Sequence, residues 1–225
     1  AGKEKLIIGH TGGANTAGAG TAPKRMEWVG KFAPSPDVDV SSILITGSGT
    51  FAVGSEIVVL GWDEDDTHTT NFWEELASVS GDGTSTTLSS GTITAKKYLW
   101  VQAYSNATSQ DSAFQFNNDT ASNYSTRWSD NGGADSTSTS ESRIDLTFGS
   151  PSFTNMFIIN NSANEKLCIH HQLDASTAGA TAPRRYERVS KWANTSAQIT
   201  EIDYINQSTS VNFPSGSILK VWGSN

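Results

Sequence analysis

Apolar and polar positions alternate most clearly from Thr92 to Tyr104, where Ile93, Ala95, Leu99, Val101 and Ala103 share one parity. Tyr98, Trp100 and Tyr104 occupy the other, so the segment reads as a strand with apolar weight on both faces. Shorter runs of the same kind stand at Leu6–Ile8, Ser42–Ile45, Ile57–Leu60, Ile144–Phe148, Phe153–Ile159, Ile199–Ile205 and Ile218–Trp222. Clusters of Gly, Ser, Asn and Pro separate them. Many short strands at such spacing predict an all-β chain, an antiparallel β-sandwich of jelly-roll-like kind. The one plausible helical turn is Phe72–Leu76, too short to stand alone. The Ser/Thr/Gly tracts 78–91 and 129–142 read as long surface loops.

The pattern also repeats. Glu4-Lys5-Leu6-Ile7-Ile8-Gly9-His10 matches Glu165-Lys166-Leu167-Cys168-Ile169-His170-His171, and each is followed by a small-residue loop ending in Ala22-Pro23 or Ala182-Pro183. Lys24 to Ala33 then aligns without a gap on Arg184 to Ala193. Phe51, Gly54, Ser55 and Gly61 recur as Phe213, Gly216, Ser217 and Gly223. The expected organisation is a partial repeat over 1–63, an acidic linker over 64–72 and a complete sandwich module over 73–225. Within that module a front half spans 73–160 and a back half 161–225, so a copy of the back half precedes the whole. Such a copy exposes strand edges unless something covers them, either residues 73–160 of the same chain or a neighbouring subunit. Ala1 in place of Met implies that the chain is processed or begins partway through a longer product.

Composition narrows the function classes. Of 225 residues, 36% are hydrophobic and only 17% charged, with a net charge of −8 and an isoelectric point near 4.9. Phosphate binding needs clustered Lys and Arg, so a nucleic-acid partner is not expected. No stretch approaches the roughly 20 apolar residues of a membrane helix, so helical membrane insertion is not expected either. Cys168 is the single cysteine, which leaves the fold to be held by its core.

Catalytic constellations are scarce. His10, His68, His170 and His171 form neither an HExxH pattern nor a Cys/His zinc spacing. His10 and His171 are repeat equivalents, which favours an architectural role for both. Gly18 to Lys24 lacks the closing Gly-Lys-Ser/Thr of a phosphate loop, no Gly-x-Ser-x-Gly elbow occurs, and no pair of carboxylates stands out. No catalytic residue and no cofactor is therefore expected. Asp63, Asp65 and Asp66 offer hard oxygen ligands suited to calcium, though the run lacks the glycine and distal glutamate of an EF-hand and reads equally as a solvated linker. Tyr98, Trp100 and Tyr104 form a candidate platform for a sugar or a neighbouring subunit, or else the second buried face of a central strand. Arg25 and Glu27, like Arg185 and Glu187, place opposite charges on one strand face. Asn-x-Ser/Thr sequons stand at Asn106, Asn118, Asn123, Asn160, Asn194 and Asn206, as expected by chance in a chain so rich in these residues.

Phe114-Gln115-Phe116-Asn117-Asn118-Asp119-Thr120, Asn123-Tyr124-Ser125, Asn155 to Asn160, Glu165-Lys166-Leu167, Lys191 to Thr195 and Gln198 to Ile202 carry a resemblance. Together they resemble a poorly characterised module in virion surface proteins of tailed phages, especially marine ones, and of related archaeal viruses. The resemblance spans roughly 73–225 and, for the back half alone, 1–63. It implies a β-sandwich used in a fibre, tail appendage or capsid decoration, acting by multimeric assembly at the virion surface and bringing no active-site residues. Homo-oligomers and other virion proteins are the expected partners. A lectin-like adhesin or receptor-binding module contacting host-surface glycans is the alternative, and an extracellular filament subunit is a second.

Overall fold

The computed structural model describes residues 4–36, 38–61, 71–107, 110–146, 151–175, 179–208 and 210–225. In chain order the strands are β1 (Lys5–Gly13), β2 (Lys24–Phe32), β3 (Glu74–Ser80), β4 (Thr87–Ser89), β5 (Tyr98–Ser105), β6 (Ser112–Phe116) and β7 (Tyr124–Asp130). They continue as β8 (Ser136–Glu141), β9 (Ile144–Leu146), β10 (Ser152–Ile159), β11 (Lys166–Asp174), β12 (Arg184–Trp192), β13 (Ile202–Asn206) and β14 (Ile218–Ser224). There is no helix among the described residues. The protein is all-β and antiparallel.

Two compact units divide the chain. One holds residues 10–27 and 72–225, and the other holds 1–9 and 28–71. In the larger unit an eight-stranded sheet runs β3-β14-β5-β10-β11-β12-β7-β8 and a four-stranded sheet runs β4-β13-β6-β9. The alternation read in the sequence sets which side chains face inward: Leu99, Val101 and Ala103 of β5, Met156 and Ile158 of β10, and Leu219 and Val221 of β14. They meet Leu88, Phe114, Phe116, Ile144, Ile202 and Tyr204 from the four-stranded sheet in one core, the two-layer arrangement of a sandwich. Aromatic pairs fill it, with Tyr204 stacked on Phe213 of the β13–β14 loop at 4.7 Å and Phe116 edge-on to Trp192 of the opposite sheet at 6.0 Å.

The structure corrects the sequence reading at several elements. Phe72–Leu76 starts no helix; Glu74 begins strand β3, which pairs with β14 and turns Leu76 and Val79 towards the core. The tract 78–91 contains β4, and the tract 129–142 contains β8, hydrogen-bonded to β7. Both strands are rich in Ser and Thr, so hydrophobic alternation misses them although Thr suits extended backbone.

In the smaller unit no strand forms at Ser42–Ile45 or Ile57–Leu60, and residues 33–61 hold none among those described. Their repeat counterparts lie in or beside β13 and β14. There β13 is flanked by β4 and β6, and β14 by β3 and β5. All four flanking strands belong to the front half, which residues 1–61 do not duplicate. Without them the back-half sequence has no ladder to join. An ion pair recurs in both copies: the exposed Lys31–Glu4 pair at 3.0 Å matches the repeat-equivalent, largely buried Lys191–Glu165 pair at 3.5 Å.

Candidate functional site

Strand β11 alternates strictly. Cys168, His170 and Gln172 point into the sandwich and are buried, while Leu167, Ile169, His171 and Leu173 point outward. Residues 10–27 lie across this outer face. They approach so closely that a Cβ on Gly12 would sit 3.2 Å from Val189 and 3.5 Å from Ile169, so a side chain here needs its neighbours to give way.

Several polar contacts fix the covering segment. The fully buried Lys191 ammonium donates to the Ala14 carbonyl at 3.1 Å and to that of Thr16. Arg127 donates to the Pro23 carbonyl at 2.7 Å, and the Gly18 N–H reaches the Glu165 carboxylate. Arg25 pairs with Asp135 at 2.6 Å and with Glu27 at 2.8 Å. The repeated Arg-x-Glu thus closes within its own strand, as it does at Arg185 and Glu187.

This packing brings the two repeat-equivalent histidines together. The rings of His10 and His171 lie 4.7 Å apart, centre to centre, and are inclined by 44°. Glu27 completes the group, with Oε1 standing 3.5 Å from His10 Nε2. One ligand atom from each of the three lies within 4.8 Å of the others. Both ring nitrogens of His10 are buried without a hydrogen-bond partner. Burial pushes the His10 imidazole below its ordinary value, and the neighbouring His171 and Arg25 act in the same direction against Glu27. His10 is therefore held towards the neutral, lone-pair-bearing form. The repeat equivalence of the two histidines was visible in the sequence; that residues 10–27 would lie against β11 was not.

The aromatic residues singled out on β5 point to the outer face rather than forming a second fully buried layer. Trp100 is stacked by Trp222 at 4.7 Å on one side and by Phe157 at 5.8 Å on the other, and donates to Asn155 Oδ1 at 2.6 Å. Its two faces are taken by its own strand neighbours, which leaves no free indole face for a sugar. Tyr98 lies 6.3 Å from Phe72, and the exposed Tyr104 contacts Asn106 at 3.4 Å. Phe72 and Trp73, 5.1 Å apart, link Tyr98 to Trp100, which lies 5.8 Å from Trp73, so these two share one aromatic cluster. Asp63, Asp65, Asp66 and His68 lie outside the described residues. Cys168 is fully buried and its thiol is pushed up by burial, so it presents no thiolate.

No family description, no curated protein and no solved structure matches the chain.

Proposed function

We propose that this protein is a structural subunit of an outer-surface assembly, of the virion kind its motifs resemble, and that it acts by packing rather than by chemistry. One observation carries the reading. Phe213, Leu219 and Val221 are at most 1% exposed, whereas their repeat equivalents Phe51, Ile57 and Val59 are 59%, 51% and 63% exposed. The same apolar positions are core in one copy and bare in the other. Exposed apolar runs of this length are characteristic of contact surfaces in assemblies.

The occupant we assign is a second copy of this chain. The front half of a given chain is already filled by its own β13 and β14, so residues 38–61 must look elsewhere. Of the four strands ending the two larger sheets, β4 and β9 have three residues each and β8 is Ser/Thr-rich. The seven-residue β3 carries Leu76 and Val79 and pairs with β14, the counterpart of 57–61, along its other side. Residues 57–61 adding to the open edge of β3 in the next copy would extend that sheet antiparallel. The contact joins two different surfaces, so it propagates head to tail into a ring or fibre.

Sedimentation velocity and electron microscopy of the whole chain test this. Multimers built from repeated copies are expected, and the paired substitution Ile57→Asp with Val59→Asp should give monomers with unchanged circular dichroism. Wild-type chain that sediments as a monomer up to about 100 µM would sink the proposal, because interfaces of standard size hold well below that concentration.

A further inference from the structure

We infer that His10, Glu27 and His171 form a binding site for a zinc ion, with the fourth position left to water. The donor set is two imidazoles and one carboxylate, which suits zinc and its first-row neighbours and is foreign to calcium and magnesium, whose ligands are oxygens. Spacing agrees with chemistry. Bonds of about 2.0–2.1 Å in a tetrahedral site place ligand atoms roughly 3.3 Å apart. His10 Nε2 and Glu27 Oε1 already stand 3.5 Å apart, and all three ligand atoms fall within 4.8 Å of one another. Side-chain rotation closes the difference.

The second observation is the state of His10. Both its ring nitrogens are buried with no hydrogen-bond partner, an arrangement that native interiors avoid unless something else satisfies the group. A hydrogen-bonded His–Glu pair does not account for it, since 3.5 Å between heavy atoms is beyond a well-formed bond. A metal on Nε2 satisfies one of the two nitrogens. Arg25 also claims the Glu27 carboxylate, at 2.8 Å, but its other arm is balanced by Asp135 at 2.6 Å. Arg25 and His10 both approach Glu27 Oε1, so metal binding there either shares that oxygen with the arginine or turns the carboxylate to offer Oε2. Glu187 faces His171 in the β11–β12 register, but it is engaged by Arg185 and is not counted as a ligand.

Bound there, the ion ties the segment 10–27 to β11 through His10 and Glu27 of the first repeat and His171 of the second. The inference is independent of the assembly proposed above: a monomer could hold the ion, and a fibre could form without it.

The test uses the whole chain, free of any histidine tag and stripped with a chelator. Cobalt(II) is titrated and followed by its visible absorption, and zinc(II) by calorimetry with calcium present in excess. One equivalent per chain is expected, with the intense bands of four-coordinate cobalt, micromolar or tighter affinity for zinc, and no competition from calcium. His171→Gln changes an outward-facing position and should weaken binding by at least tenfold, as should His10→Gln, with circular dichroism verifying that each variant is folded. His68→Gln, in the acidic run, should leave binding unchanged. No saturable binding below about 100 µM overturns the inference. So does binding that survives both the His10 and the His171 substitutions, which would place the metal elsewhere on the chain.

Discussion

Asn117 and Asn118 adopt the left-handed conformation, with φ of 52° and 55°, which asparagine tolerates better than other non-glycine residues. The turn they make aims Asn117 at the back half of the module. Its side-chain oxygen accepts from the N–H groups of Thr200 at 2.8 Å and Glu201 at 3.0 Å, and its amide donates to the Gln198 carbonyl at 2.8 Å. Asp119 accepts from Trp192 Nε1 at 2.7 Å, Asn123 at 2.8 Å and the Ala121 N–H at 2.9 Å. Tyr124 meanwhile receives the Phe116 N–H on its hydroxyl at 3.0 Å. The Phe-Asn-Asn-Asp-Thr and Asn-Tyr-Ser segments therefore latch the front half to the back half. Burial pushes the Asp119 carboxyl up, but the three donors outweigh it and hold the group below its ordinary 3.8. A carboxyl lowered in the folded state stabilises above the unfolded value and loses that contribution as pH falls through the folded one. Asp119→Ala should thus cost about 1 kcal/mol at pH 7, the low end for bonds to a charge because the group is partly open to solvent. Urea unfolding should show the difference shrinking below pH 4. Asn160, fully buried, bonds Lys96 O at 2.9 Å and both backbone groups of Ile199. Asn160→Ala leaves those groups unpaired and should cost about 3 kcal/mol in the same assay. Its sequon is closed to glycosylation in the folded chain.

At the scale of elements, what the sequence revealed depended on whether a strand buries one face. β10 and β14 alternate because each has one side in the core, and both were read to within a residue or two; the strand read from Thr92 begins only at Tyr98 of β5, and β11 showed in the sequence only as the repeat of Glu4 to His10. β8 has no such side, as four of its six residues are exposed, and its Ser/Thr run passed for a loop. Ile57–Leu60 shows the converse. Its pattern is that of β14, yet pattern alone does not make a strand where no ladder stands beside it. The candidate site was half legible: the repeat marked His10 and His171 as equivalent, but their meeting depends on residues 10–27 folding over β11, which no local pattern encodes. The same asymmetry predicts opposite responses at equivalent positions. Phe213→Ala removes a fully buried ring and should destabilise by about 3–5 kcal/mol. Phe51→Ala, at the exposed counterpart, should change the stability of dissociated chain by less than about 0.5 kcal/mol while weakening assembly. Equal losses at both positions would mean that the N-terminal copy has a core of its own.

For the whole molecule the question is how the bare copy is covered, and hydrogen exchange separates the geometries. In dissociated chain residues 38–61 form no strand, so their amides should exchange among the fastest in the protein, while those of β5, β10 and β11, paired on both sides, exchange slowest. Addition of residues 57–61 to the open edge of β3 pairs the new strand along one side only. An antiparallel strand bonded on one side engages every second residue, so protection in the multimer should appear at alternate amides from 57 to 61. Capture between two strands, as β14 is held between β3 and β5, would protect consecutive amides instead. That result would mean that the neighbour opens its sheet, a domain exchange rather than an edge addition. The contact is also apolar, with Ile57, Val58, Val59 and Leu60 uncharged, so it should persist from 0.05 to 1 M salt, where ion-paired interfaces weaken as the Debye length shrinks from above 10 Å to about 3 Å. Residue-resolved exchange on multimers formed at both salt concentrations measures the two effects together. Unprotected amides throughout 57–61 in an intact multimer would remove this segment from the interface altogether.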